Sequence, residues 1–206
     1  MNYRHGFHAG NHADVLKHVV LLAWLDALLA KEAPIFVLDT HGGRGLYALD
    51  GEPAARTGEG ASGIGRLWGL HGLPAAVQRL LTAVAAANDG APLRRYPGSP
   101  RLALAALRTN DRLAACELQA EAAAALKVAL DGDPRAAVHV RDGYESTRAL
   151  LPPREKRGLV LIDPPYEAQD AEYPRVLEAA GTALSRWPTA GVAVWYPIKQ
   201  RRTLHG

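Results

Sequence analysis

The sequence predicts an α/β fold built on a doubly wound, parallel sheet. Two observations predict it: short β-rich apolar runs alternate with helical segments, and these runs stay apolar instead of alternating with polar residues. Continuous apolar strands are typical of parallel sheets that crossover helices cover on both faces. With 206 residues, of which 48% are hydrophobic, the chain is long enough for one domain with a sizeable core.

The first predicted element is a helix that begins after Asn11, a residue suited to the N-cap, and ends before Pro34. The next run, PIFVLDT, predicts a short strand, and the glycines of HGGRG follow it directly. We therefore divide the start of a single domain, 1–206, into an N-terminal motif with its helix, 1–33, and the first part of the α/β core, 34–51.

Residues 52–95 have a different character. They hold six glycines between positions 58 and 72, two weakly amphipathic helical stretches and no convincing strand. We predict that they form a small helical insertion.

The α/β core resumes over residues 96–206. Ser99 suits the N-cap and Pro100 the first turn of a helix that runs to about Thr109. The strands RLAACEL, AAVHVRD, GLVLIDPPY and GVAVWYP follow, separated by helices, the last of which covers about 172–186.

Composition and charge exclude several classes of protein. The single Cys116 excludes a disulfide scaffold and a cysteine metal cluster, and it favours a reducing, cytoplasmic setting. The longest apolar run, 19–25, is far shorter than the ~18 residues of a membrane span. The N-terminus lacks the apolar stretch of a signal peptide. The 24 basic and 21 acidic residues permit an anionic partner without requiring one.

Acidic residues follow several predicted strands, at the edge where doubly wound sheets bind ligands. Glu117 can accept hydrogen bonds from both hydroxyls of a ribose, and Asp142 can accept from an adenine amine. The first strand ends in Asp39 and a glycine-rich turn that lacks both the G-x-G-x-x-G spacing and a Walker lysine. The pattern therefore predicts a nucleoside site and disfavours a dinucleotide or phosphate-loop site.

The run Asp163-Pro164-Pro165-Tyr166 directly follows the apolar strand LVLI. The prolines hold the chain extended and fix the direction of their carbonyls. An exocyclic base amine is a poor nucleophile, because its lone pair is delocalised into the ring. Acceptors on both of its N–H bonds, from Asp163 and the Pro164 carbonyl, would favour a pyramidal nitrogen that can attack a methyl group. Tyr166 could stack on the base.

The Asp-Pro-Pro-Tyr run resembles the signature of S-adenosylmethionine-dependent amino-methyltransferases. The longer strings YRHGFHAGNHADVLKH, LDTHGGRGLYAL, EPAARTGEG, RRYPGSP and RGLVLIDPPYE resemble the RlmJ family of bacterial 23S ribosomal RNA adenine-N6 methyltransferases, from residue 3 to residue 197. The resemblance implies a Rossmann-like methyltransferase sheet and S-adenosylmethionine as cofactor, with S-adenosylhomocysteine as its product. It also implies methylation of N6 on one adenine of 23S rRNA, as part of rRNA processing.

The resemblance also implies roles for individual residues. The catalytic group would be Asp163, with Pro164 and Tyr166. The cofactor would be held by His18, His41, Gly42, Ser99, Glu117, Asp142, Gly143 and Asp163. The target adenosine would be contacted by Tyr3, Arg4, His5, Lys17 and Tyr166.

Other functions remain open at this point. His8 and His12 could share a helix face and bind a divalent metal, but methyl transfer to an amine needs none, and we predict no metal. The short signature is shared with DNA-adenine and protein-glutamine amino-methyltransferases. A truncated, inactive module that binds cofactor or RNA is a third alternative.

The chain ends at Gly206, soon after the fifth strand of the regular series. The methyltransferase fold implied by the resemblance normally adds a helix and a β-hairpin there, so we expect the C-terminal strands of the usual fold to be missing from this chain. We expect a monomer for a full-length form, and either poor solubility or dimerisation through the exposed edge strand for this shorter one.

Overall fold

The computed structural model describes residues 8–50, 59–90, 92–166 and 169–197. The helices are α1 (His12–Leu29), α2 (Glu59–Ser62), α3 (Ala75–Ala86), α4 (Ser99–Ala106), α5 (Ala120–Ala129), α6 (Gly143–Ala149) and α7 (Gln169–Arg186). The strands are β1 (Phe36–Asp39), β2 (Leu46–Ala48), β3 (Arg95–Pro97), β4 (Arg112–Glu117), β5 (Ala136–Val140), β6 (Gly158–Ile162) and β7 (Ala190–Val194).

Five strands form the central sheet, in the order β5-β4-β1-β6-β7, and every neighbouring pair is parallel. The predicted parallel α/β sheet is therefore confirmed. Because β1 lies in the middle and the chain winds outward from it in both directions, the carboxyl ends of all five strands meet at one edge. β6 is buried along its whole length, which explains why its sequence is continuously apolar.

Helices cover both faces of the sheet. Alternate strand residues point to opposite faces, so Val37 packs beneath α1, α4 and α5, whereas Phe36 and Leu38 pack beneath α6 and α7. On the second face Trp187, at the end of α7, lies 6.0 Å from Phe36 between ring centroids. The two apolar layers hold the strand ends in fixed positions, and the site depends on those positions.

The inserted segment packs on α1 through a third apolar cluster, in which Leu80 and Tyr96 are fully buried. Contrary to the prediction of no strand within residues 52–95, Arg95 belongs to β3, which pairs antiparallel with β2 outside the main sheet. Each of these strands is only three residues long, and Pro97 ends β3. Local sequence does not reveal such a pair, because it is held by Tyr47 and Tyr96 facing each other across the ribbon.

Three predicted helix boundaries differ from those observed. α1 ends at Leu29 rather than just before Pro34, because Arg157 donates to the carbonyl of Leu28 and Arg108 to that of Lys31, which satisfies carbonyls at its end. The helix predicted to reach about Thr109 ends at Ala106. α7 begins at residue 169, earlier than the predicted 172.

At the starts of α1 and α4, one predicted cap is confirmed and one is wrong, and the two histidines considered for a shared helix face are separated. Asn11 caps α1, as predicted, by accepting from the Asp14 N–H at 2.9 Å. His8 lies before this cap and contacts Glu59 at 3.0 Å, so His8 and His12 do not share a helix face. Gly98, not Ser99, is the N-cap of α4, and Ser99 lies inside the first turn.

Within the described residues, no helix is long and apolar enough to span a membrane. The same part of the chain holds no cluster of three or more His, Cys, Asp or Glu side chains suited to a metal ion.

Candidate active site

The turn after β1 crosses the carboxyl edge of the sheet. The Thr40 N–H donates to Leu161 O of β6 at 3.0 Å, and the Gly42 N–H donates to Cys116 O of β4 at 2.8 Å. The turn therefore ties together the ends of three adjacent strands, and the backbone between these two contacts lies over the middle of the edge.

Glu117, at the end of β4, is fixed by backbone donors. The Gly43 N–H reaches its Oε2 at 3.0 Å, and the Gln119 N–H reaches its Oε1 at 2.8 Å. Gly43 has φ +59°, and a Cβ there would lie 2.2 Å from the Tyr47 hydroxyl, so the turn requires glycine. Each oxygen of the half-exposed Glu117 carboxylate keeps a second lone pair for a ligand.

Asp142 follows β5 and caps α6, accepting from the Tyr144 N–H at 2.8 Å. Its Oδ2 binds the guanidinium of Arg175 at 2.6 Å, and that guanidinium also lies 4.2 Å from the Tyr144 ring centroid. Partial burial opposes ionisation, but Arg175 and the Tyr144 N–H outweigh it and lower the pKa of Asp142. Arg175 therefore shares the carboxylate that is predicted to bind the cofactor adenine.

His41 lies between two of the acids. Burial lowers its pKa to about 4, despite the opposing charges of Asp163 and Asp142, so the ring is neutral at pH 7. The Thr40 hydroxyl donates to Leu161 O at 2.9 Å and therefore accepts from Nδ1 of His41, 2.7 Å away. This assignment leaves Nε2 as the acceptor of the ring.

The glycine after Asp142 allows α6 to start against this turn. A Cβ on Gly143 would lie 1.9 Å from the Thr40 carbonyl oxygen and 3.0 Å from Cε1 of His41. The predicted pair of Asp142 and Gly143 is therefore required by packing as well as by any contact with a ligand.

Asp163, at the end of β6, is held by a buried lysine. Nζ of Lys17 lies 2.6 Å from Oδ2 of Asp163 and 2.9 Å from Oδ1 of Asp14. Burial alone would lower the Lys17 pKa, but the two carboxylates outweigh it and raise that pKa above its usual value. Lys17 is therefore a fixed cation, and within the described residues Asp163 makes no hydrogen bond through Oδ1.

The two residues that flank Pro165 are buried. Tyr166 packs against Tyr173 with a centroid separation of 5.8 Å, and its hydroxyl finds no partner in the described part of the chain. Burial raises its pKa well above the usual value. In this arrangement the Tyr166 ring is part of the core beneath the site, so stacking on a target base stays a prediction that requires the ring to move. Pro164 is buried beside it.

The other predicted cofactor residues are joined to neighbours that the sequence did not reveal. His18 is buried on α1, and its Nδ1 lies 2.8 Å from the Tyr96 hydroxyl. The Ser99 hydroxyl interacts with the carboxyl group of Asp39. Burial raises the pKa of Asp39 to about 6, and the Ser99 hydroxyl and the His41 N–H partly offset this increase. Tyr3, Arg4 and His5 lie outside the described residues.

Three contributors were missed by sequence reasoning. Asp14 precedes Lys17 by one helical turn, so its spacing could have revealed the pair. Arg175 and Tyr96 reach Asp142 and His18 from distant elements, and no local pattern announces either contact.

The arrangement combines half-exposed carboxylates on two strand ends, a neutral histidine and a glycine turn with an aspartate fixed by a buried lysine. It can accept hydrogen bonds from a nucleoside and from a second amine donor, and its chemistry is that of positioning and charge rather than of a covalent nucleophile. Cys116 is consistent with this, because burial raises its pKa to about 11 and leaves it a core thiol.

Comparisons with known proteins agree with this description. The model of the family described as ribosomal RNA large subunit methyltransferase D, RlmJ, matches residues 32–206. Ribosomal RNA large subunit methyltransferase J of Escherichia coli (strain K12) is 42% identical over 204 residues, which cover 99% of this chain and 72% of that protein. Its Haemophilus influenzae counterpart is 43% identical over 203 residues, covering 98% and 72%.

A solved structure has the same fold. Protein LPL1258 from Legionella pneumophila matches with a TM-score of 0.87 and 38% identity, over 95% of this chain and 72% of that one. With a family model that covers most of the chain and relatives above 40% identity, the resemblance seen in the sequence is confirmed. The chain belongs to the RlmJ family of ribosomal RNA large subunit methyltransferases.

Proposed function

We propose that the chain transfers the methyl group of S-adenosylmethionine to the exocyclic N6 amine of one adenine in 23S ribosomal RNA, in the cytoplasm. The observation that carries the proposal is Asp163 at the end of β6, held through one oxygen by buried Lys17 and followed by two prolines. The printed names of the relatives, each a large-subunit ribosomal RNA methyltransferase, support the substrate class.

The residues at the carboxyl edge suit S-adenosylmethionine. Both oxygens of Glu117 are oriented by backbone N–H groups and keep a lone pair, which matches two adjacent ribose hydroxyls. The other proposed contacts are to the adenine, from Asp142 and Gly143, and to the methionine portion, from His18, His41, Gly42 and Ser99. When bound, S-adenosylmethionine supplies an electrophilic methyl group on its sulfonium.

The protein's part in the chemistry is to prepare the target amine. Lys17 occupies Oδ2 of Asp163, so Oδ1 is left to accept one N–H of the amine, and the Pro164 carbonyl would accept the other. Both bonds favour a pyramidal nitrogen with a localised lone pair. The nitrogen must lose one proton after it gains a carbon substituent, and Asp163 is the group proposed to receive it.

The neutral state of His41 fits this scheme. A protonated histidine beside the sulfonium of the cofactor would add a second positive charge, whereas burial keeps the imidazole neutral at pH 7. His41 can then accept through Nε2 while Thr40 holds Nδ1. Tyr3, Arg4 and His5 are proposed to contact the target adenosine from the N-terminal segment, and Tyr166 to stack on its base.

The test is methyl transfer from labelled S-adenosylmethionine into deproteinised 23S rRNA, DNA and bulk protein in parallel. We expect label in the rRNA alone, in N6-methyladenine. Label in DNA adenine or in glutamine would identify a different amino-methyltransferase. Cofactor binding in calorimetry without transfer to any of the three would identify an inactive binding module.

A further inference from the structure

A cleft of about 690 Å³ lies at the opposite, amino-terminal edge of the sheet. Its lining residues lie just before β1, β4, β5 and β6 or at the first residue of β4, and five of them are cationic: Arg112, Arg135, Arg154, Lys156 and Arg157. Strands of five residues at ~3.3 Å per residue separate this edge from the carboxyl edge by roughly 16 Å. The cleft is therefore distinct from the candidate active site.

The two carboxylates that line the cleft are already engaged by the protein. Glu155 receives two bonds from Arg112, at 2.8 and 2.9 Å, and a third from Arg154 at 2.9 Å. Asp111 is 1% exposed and accepts from the Ile35 N–H and from the backbone and guanidinium of Arg108. Arginine donors therefore neutralise both carboxylates, which weakens their repulsion of an anion in the cleft.

The remaining charge of the cleft is positive. Arg135 is neutralised by Asp133 at 2.6 Å, so four cations, Arg112, Arg154, Lys156 and Arg157, are left against Glu155 alone. Three positive charges are therefore uncompensated in the described part of the cleft. The whole chain has a net charge of only +3, so the surplus here is a local concentration and not an average property of the surface.

Two of the cations, Arg112 and Arg157, are held in place by contacts within the protein. Arg112 lies 5.2 Å from the ring centroid of Phe36 while it binds Glu155. Arg157 donates from Nη2 to Leu28 O, and its Nη1 is buried without an acceptor among the described residues. Arg154 and Lys156 flank these two with exposed side chains. Preorganised guanidinium groups with an exposed ammonium suit phosphate oxygens.

We propose that this cleft binds backbone phosphates of the ribosomal RNA substrate, away from the methylated adenine. The inference rests on the proposed function, because that function supplies a long polyanion able to reach both edges of the sheet. Such contacts would add affinity and orientation without reading sequence. Arg154 and Lys156 are the exposed groups that would contact phosphate, and Arg112 and Arg157 fix the shape and charge beneath them.

The test compares two double variants. Arg154→Gln with Lys156→Gln removes the exposed cations, while Glu155 keeps its paired bond to Arg112. Arg148→Gln with Lys127→Gln removes two exposed cations from α6 and α5 and serves as the matched control. Arg148 is ion-paired with Glu178, whereas Lys127 has no ion pair among the described residues. Both proteins are compared with the wild type for cofactor affinity, which should not change. Their unfolding midpoints should change only slightly, because each variant loses one ion pair made by an exposed arginine.

The readouts are the Kd for deproteinised 23S rRNA over a range of salt concentrations, and the kinetics of methylation. For the cleft variant we expect the slope of log Kd against log salt to fall by roughly 1.4–1.8, since each lost phosphate contact removes about 0.7–0.9. We expect the KM for rRNA to rise about tenfold with kcat unchanged. A short adenine oligonucleotide, which cannot reach both edges, should be bound equally by all proteins.

An unchanged slope, an equal loss in the control variant, or an equal loss for the short oligonucleotide would each overturn the proposal. The outcome for the proposed function is read separately from the wild type. If the wild type shows the expected slope difference from the cleft variant but methylates no rRNA, the cleft proposal stands and the proposed function fails.

Discussion

At the amino-terminal edge of the sheet Asp111 and Glu155 are enclosed by guanidinium groups. At the carboxyl edge Glu117 and Asp163 retain free acceptor positions, although Asp142 there also binds a guanidinium. Asp111 and Glu155 accept three or more hydrogen bonds each from within the protein. Among the described residues, Glu117 accepts one hydrogen bond at each carboxylate oxygen. Asp163 accepts at one oxygen only, from Lys17. Carboxylates therefore stabilise the fold at the amino-terminal edge, whereas Glu117 and Asp163 at the carboxyl edge remain available to ligands.

Removal of Asp163 should separate catalysis from cofactor binding most clearly. In Asp163→Ala we expect kcat for rRNA methylation to fall by at least about 10²–10³, because the amine loses its charged acceptor. The Kd for S-adenosylmethionine, measured by calorimetry, should change only a few-fold. Glu178→Ala, which removes an exposed carboxylate of α7, is the control and should retain wild-type kcat.

The corresponding change at the other edge should do the reverse. In Asp111→Ala the buried Ile35 N–H and the Arg108 guanidinium lose their acceptor, and we expect unfolding free energy to fall by about 2–3 kcal/mol in urea titrations. The kcat of the folded fraction should remain that of the wild type. A large loss of kcat at unchanged stability would mean that the two edges are not divided in this way.

One carboxylate from each edge, Glu155 and Asp39, should also respond to pH with opposite signs. Burial alone would raise the pKa of Glu155, but hydrogen bonds from two arginines outweigh it and lower that pKa to about 2. Ionised Glu155 therefore stabilises the folded protein fully above pH 4.5, and this stabilisation is lost as pH falls towards 2. Burial raises the Asp39 pKa to about 6, so stability is lost as pH rises from 3.8 to 6.

Unfolding free energies between pH 2.5 and 7 check this contrast. Glu155→Gln should reduce only the loss of unfolding free energy that occurs as pH falls from 4.5 towards 2. Asp39→Asn should remove only the loss that occurs as pH rises from 3.8 to 6. If each variant changed the stability in the pH range assigned to the other residue, the assignment of these ranges to Glu155 and Asp39 would be wrong.

Two glycines give the smallest expected effects. Gly143→Ala places a Cβ 1.9 Å from the Thr40 carbonyl, so the start of α6 must shift, and we expect cofactor affinity to fall about tenfold with a loss of roughly 1–3 kcal/mol in stability. Gly181→Ala on α7 meets nothing within 4 Å and should stabilise the protein by about 0.5–1 kcal/mol. Calorimetry and urea unfolding of both variants test whether tight packing is confined to the turn.

The sequence predicted the parts of this molecule that depend on local pattern. The apolar strand before Asp163 was recognised from its continuous hydrophobic run, and its place in a parallel sheet followed from the alternation of elements. The strand-end positions of Glu117 and Asp142 followed from the same reasoning, because the acids directly succeed apolar runs.

What the sequence did not predict are contacts between distant segments. The bond from Lys17 to Asp163 joins residues 146 positions apart, and Arg175 reaches Asp142 from 33 positions away. The packing of Tyr166 into the core is likewise a tertiary effect, since the motif alone suggested a ring that stacks on a base. The cleft at the amino-terminal edge was not anticipated either, because its cations come from separate loops.

The most direct test maps methylated adenines in 23S rRNA by mass spectrometry, from cells that have the gene, lack it, or carry its Asp163→Asn form. We predict that one N6-methyladenine disappears with the gene, returns with the wild-type copy and does not return with the variant. Restored methylation by Asp163→Asn, or an unchanged adenine map in cells without the gene, would contradict the role assigned to that carboxylate.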